Sequence, residues 1–127
     1  MTSFSLTSRI ILTLCFLALL ALASLIPGRP QPGDSAFIWL AANTPTLLQK
    51  LLHVCLYGVL VMLLAWTLES IQSRTYRFLI SWSIAVAFGA VMEWYQTKVP
   101  GRYGTAIDVA LNAVGAALGL LVAVFLF

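Results

Sequence analysis

A chain of 127 residues that is 61% hydrophobic and 9% charged, with a mean hydropathy of +0.99, lies far outside the composition of a soluble globule and has room for one domain. Its net charge of +3 comes from seven Lys and Arg residues with no run among them. A nucleic-acid partner therefore finds no support, and attraction to anionic lipid accounts for the charge. The reading is an all-α polytopic integral membrane protein, an antiparallel four-helix bundle whose first partner is the lipid bilayer. Cys15 and Cys55 sit in apolar runs without CxxC or Cys/His spacing, and read as small core residues rather than metal ligands or a disulfide.

The first apolar run, Ile10 to Ile26, is about 17 residues, just long enough to span. Arg9, the apolar stretch and Ala21-Leu22-Ala23 also fit a signal peptide cleaved after Ala23. The run continues past that point, and a retained span pairs off the helices, so a span is the favoured expectation. Pro27 to Ser35 holds three prolines and two glycines and is expected to be a loop outside the hydrocarbon. Phe37 to Leu40 is too short to span and is expected at the interface, with Trp39 at headgroup level, before Asn43-Thr44-Pro45 opens the next helix.

The second span is expected over 46–68. Lys50, His53 and Tyr57 are three and four residues apart and share one face of its first half, with Gly58 beside them. Glu69 to Arg77 reads as a polar turn that sends the third span, 78–95, back antiparallel. That span carries Ala85, Gly89, Glu93 and Gln96 on one face, small at mid-membrane and polar at the end, the pattern of close packing on neighbours. Trp82 reads as the anchor of one end and Trp94 with Tyr95 of the other.

Thr97 to Gly104 is a tight loop, and the fourth span covers 106–127. Asp108, Asn112, Gly115 and Gly119 fall four, three and four apart, so they share a face, and Gly115 to Gly119 is a GxxxG step. A GxxxG step that continues a polar stripe is expected to be buried against another helix rather than lipid. Alternation then brings Lys50, His53, Tyr57, Glu93, Gln96, Arg102, Asp108 and Asn112 to one end of the bundle, with Asn112 and Tyr57 about 10 Å below the surface. Intramembrane polar groups are costly unless partnered and mark candidate functional sites.

Lys50, His53 and Tyr57, then Glu93 with Gln96, then Pro100, Arg102, Asp108, Asn112, Gly115 and Gly119 in this order resemble the VanZ-like family of small bacterial membrane proteins. The resemblance covers about residues 47–119. Gln49 and Val54 stand where that family often has an acidic residue and an aromatic one. Because name-giving members are linked to resistance to glycopeptides such as teicoplanin, the resemblance implies work at the bacterial cell envelope.

Each polar group admits two readings. His53 is either a proton acceptor poised by Glu93 or an interhelical hydrogen-bonding contact. Arg102, beside the N-terminal end of the fourth span, is either a bidentate clamp for phosphate or carboxylate or a salt-bridge partner of Glu93 or Asp108. Asp108 orients a ligand or Arg102, or balances the helix N-terminus. Catalytic candidates are His53, Glu93 and Asp108; packing candidates are Gly89, Gly115 and Gly119. A single histidine and no HExxH give no metal site, and no cofactor is expected. The favoured function is binding of an anionic envelope lipid or cell-wall precursor; a membrane-embedded acid/base enzyme and an assembly partner are the alternatives. Arg9, Arg74 and Arg77 favour termini inside and the polar end outside, which would leave Arg29, Lys50, Lys98 and Arg102 outside; with Lys50 and Arg102 set aside as site residues the preference is slight.

Overall fold

A computed structural model describes residues 4–24, 33, 35–36, 46–98 and 106–127. Among them are four helices and no strand: α1 (Leu6–Ser24), α2 (Thr46–Thr67), α3 (Arg74–Gln96) and α4 (Ala106–Leu126). All four are long and apolar enough to cross a membrane. At 19 to 23 residues they extend about 29 to 35 Å, the thickness of a hydrocarbon core.

Two helix starts differ from expectation, and local capping explains both. α1 begins at Leu6 rather than Ile10, because Ser5 Oγ accepts the amide of Ser8 at 3.1 Å. α3 begins at Arg74 rather than Phe78, because Ser73 is extended and its hydroxyl accepts the amide of Tyr76 at 3.4 Å. The stretch Arg74 to Arg77, expected in a turn, is the first turn of a membrane helix. The expected loop 27–35 and the interfacial segment 37–40 with Trp39 lie largely or wholly outside the described residues.

Side-chain contacts fix the alternation. At one end Arg9 of α1 pairs with Glu69 beyond α2 and donates to the Trp66 carbonyl at 3.2 Å, while Thr13 and Thr67 share a 2.8 Å hydrogen bond. Arg74 at the start of α3 donates to the carbonyl of Val124 at the end of α4. The same end therefore collects the start of α1, the end of α2, the start of α3 and the end of α4. Up-and-down antiparallel order follows.

α2 and α4 make the most extensive contact of the bundle. Glycine makes it possible: a Cβ on Gly115 would lie 2.8 Å from Val54 Cα, and one on Gly119 2.7 Å from Gly58 Cα. Lipid tails are as apolar as leucine, so this close backbone approach, and the dispersion it allows, holds membrane helices together. Around the seam pack Tyr57, Leu60, Val61, Leu64, Ala85 and Ala116, all buried. Large apolar side chains such as Leu19, Leu121 and Phe125 point outward, where a bilayer accepts them.

Two expectations are corrected here. Cys15 and Cys55 are exposed on the outer face of the bundle rather than in its core. Trp82 is partly buried and donates its indole N–H to the Ala113 carbonyl at 3.2 Å, tying α3 to α4 instead of serving as an interface anchor. Trp94 and Tyr95 are exposed, and Lys98 lies 3.9 Å over the Trp94 ring, as an interfacial belt requires.

Candidate functional site

The polar end is built from the first half of α2, the last turns of α3 and the first turns of α4. On α3, Glu93 and Gln96 continue the buried face of Ala85 and Gly89, and both are 4% exposed. With its amide nitrogen facing the carboxylate, Gln96 donates to Glu93 Oε2 at 3.1 Å and Oε1 at 3.2 Å. A neighbour one helical turn on thus stabilises a carboxylate held inside the protein.

On α4, Asn112 is 1% exposed and its Oδ1 lies 3.3 Å from His53 Nδ1 of α2. An amide oxygen only accepts, so this contact places a proton on His53 Nδ1. The His53 ring stacks on Tyr57 with centroids 6.2 Å apart and planes 10° apart, and Tyr57 leans in turn on Phe88 of α3. His53 is half-buried and Tyr57 buried, so the stripe read from 50, 53 and 57 descends from the bundle edge into its core.

Gly89 sits where the three helices meet. A Cβ there would lie 3.0 Å from both Asn112 Nδ2 and Tyr57 Cε1, so glycine leaves room for the amide and the ring. Beyond that, Asn112 Nδ2 is buried and has no hydrogen-bond acceptor among the described residues. A buried donor without a partner costs about 1–3 kcal/mol.

The structure therefore brings together His53, Tyr57 and Asn112 in direct contact with the Gly89 face, and Glu93 with Gln96 on the same end of α3. Lys50 is exposed in the first turns of α2, and Asp108 is half-buried in the first turn of α4. Arg102, with Pro100 and Tyr103, lies outside the described residues. Arg77 and Ser81 were missed as members of the buried α3 face. Their signal was present: 77, 81, 85, 89 and 93 run in steps of four, one helical stripe.

Four apolar helices with a polar cluster buried at one end define a multi-pass membrane protein whose chemistry is concentrated where α2, α3 and α4 converge. Residues 8–127 match the VanZ/LLP1 family model, and the chain belongs to that family. The match extends the likeness of residues 47–119 to include α1. No curated protein and no solved structure is detectably similar to the chain.

Proposed function

We propose that this protein is a bacterial cell-membrane protein that binds an anionic oxygen group, phosphate or carboxylate, of an envelope lipid or cell-wall precursor at the polar end. The observation that carries the reading is the buried Asn112 Nδ2 without an acceptor, set among polar side chains from three helices. A ligand oxygen at that amide would remove the cost of the orphaned donor. Arg102 is the main cationic contact in this reading: it brings a five-donor fork and precedes α4 by a few residues in the sequence. Lys50 adds a second positive charge from α2, and Glu93 and Asp108 hold the cations when no ligand is bound.

Membership of the VanZ/LLP1 family supports a link to glycopeptide resistance. The assembly alternative is weakened by how the glycines are used. Gly115 and Gly119 are filled by α2 of the same chain, which leaves the GxxxG face no room for a second protein.

The test is the set of lipids and cell-wall precursors that copurify with the full chain from bacterial membranes. Wild type is expected to enrich an anionic species, Arg102→Ala and Asn112→Ala to lose it, and Arg102→Lys to lose most of it because the planar fork is gone. Equal content in wild type and all three variants, at equal protein levels, sinks the reading.

A further inference from the structure

The opposite end of the bundle holds a second cationic feature that the polar site does not use. Arg77 lies in the first turn of α3 and is 8% exposed, and its Nε is buried without a hydrogen-bond acceptor among the described residues. Arginine cannot shed its charge, so it does not escape burial by becoming neutral. An uncompensated buried cation is among the more expensive features a fold can keep.

Its neighbours are already occupied. Arg9 is paired with Glu69 and the Trp66 carbonyl, and Arg74 donates to the Val124 carbonyl. Glu69 is the one acidic side chain at this end among the described residues, and Arg9 holds it. The Arg77 guanidinium lies over the Phe78 ring, 5.5 Å from its centroid, and Arg74 lies 5.4 Å from the same ring. Two guanidinium groups thus flank one aromatic side chain.

The backbone adds to the same field. α3 begins at Arg74, so the amides of Arg74 and Thr75 have no intrahelical acceptor, and the helix presents its positive end here. The first regular bond runs from the Arg77 amide to the Ser73 carbonyl at 3.0 Å. Arg77 lies about 6 Å below this cap along the helix, near one end of a helix long enough to span a bilayer.

We infer that Arg77, with Arg74 and the N-terminus of α3, forms a phosphate-binding site at the end of the bundle that carries the chain termini. The shared chemistry is a phosphate oxyanion, which a lipid headgroup or free phosphate would supply. Bidentate pairing with a guanidinium and reinforcement by the helix end suit either.

The test is thermal unfolding of the delipidated full chain in detergent, with phosphatidylglycerol, inorganic phosphate or diacylglycerol added. Asn112→Ala serves as the background, so that the opposite end does not contribute. Phosphatidylglycerol is expected to raise the melting temperature by about 4 °C or more, and diacylglycerol not to do so. Arg77→Gln abolishes the rise and Arg77→Lys keeps part of it. A lipid source shows as a rise with phosphatidylglycerol alone, and a soluble source as an equal rise with inorganic phosphate. If Arg77→Gln does not accumulate, Arg77→Lys and the exposed Arg74→Gln carry the comparison, each reducing the rise. An undiminished rise in the variants, or no rise with either phosphate probe, overturns the site.

Discussion

The His53 ring and the Asn112 amide, 59 positions apart, meet at 3.3 Å across the α2–α4 seam. Glycine contact brings the two backbones close, and this closeness delivers a polar pair into the bundle core. Packing and site are one construction here: the seam that holds α2 on α4 also sets the distance between their side chains.

The tautomer of His53 is the first consequence. Because it is the chain's single histidine, its ring nitrogens give an unambiguous signal in 15N-histidine-labelled protein. The Nδ1–H form is expected in wild type, and loss of that preference in Asn112→Ala. A dominant Nε2–H form in wild type contradicts the contact.

Graded glycine substitutions test the seam. Gly115→Ala and Gly119→Ala drive a methyl group into the α2 backbone, and each is expected to cost about 2 kcal/mol or more. Gly58→Ala meets its nearest atom only at 3.2 Å, and the gain of about 1 kcal/mol in helix propensity offsets the tightness, so its net effect is near zero. Detergent unfolding at matched conditions measures all three, and equal effects would show that the seam is not the tight contact described.

Removing the charge of Glu69 tests the other end. Its pairing with Arg9 is half solvent-exposed, 51% on the carboxylate side, so Glu69→Gln is expected to cost less than about 1 kcal/mol. Thr67→Val removes the hydrogen bond to Thr13 and falls in the same range, about 0.6 kcal/mol for such contacts between membrane helices. A loss of several kcal/mol in either variant would move the stabilising weight away from the glycine seam.

Topology follows from the arginines. Arg9, Arg74 and Arg77 stand at the end that collects the start of α1 and the end of α4; against them the sequence sets Arg29, Lys50, Lys98 and Arg102, and with Lys50 and Arg102 counted as site residues a slight positive-inside preference places the arginine end in the cytoplasm. A reporter fused after Phe127 should be active only when it reports the cytoplasm. Activity in an export-dependent reporter reverses the orientation.

Small and polar residues made the bundle legible in the sequence, whereas apolar ones did not. The stripes Ala85–Gly89–Glu93–Gln96 and Asn112–Gly115–Gly119 are buried as their spacing predicts. Cys15 and Cys55 went the other way, because in a bilayer an apolar or weakly polar side chain is tolerated on either face and carries no facing signal. Arg77 was missed for a different reason. Arg77 continues the stripe 81, 85, 89 and 93 in steps of four, but the polar stretch from Glu69 reads as a turn, and the helix start that brings Arg77 onto that stripe is set by the Ser73 cap. The pairing of Trp82 with the Ala113 carbonyl depends on the α3–α4 crossing, which spacing within one helix does not encode.

The central claim, that the polar end receives an anionic oxygen at Asn112, is tested most directly on the Asn112 side-chain amide itself. The chain has two asparagines, Asn43 and Asn112, so 15N-asparagine labelling of the full chain yields two side-chain signals, which Asn43→Ala assigns. The protein in zwitterionic micelles is titrated with phosphatidylglycerol as the phosphate probe, oleate as the carboxylate probe and diacylglycerol as the control. A saturable shift of the Asn112 amide with at least one anionic probe, absent with diacylglycerol and lost in Arg102→Ala, is the predicted result. An Asn112 signal that responds to no anionic probe, or responds equally to diacylglycerol, contradicts the account.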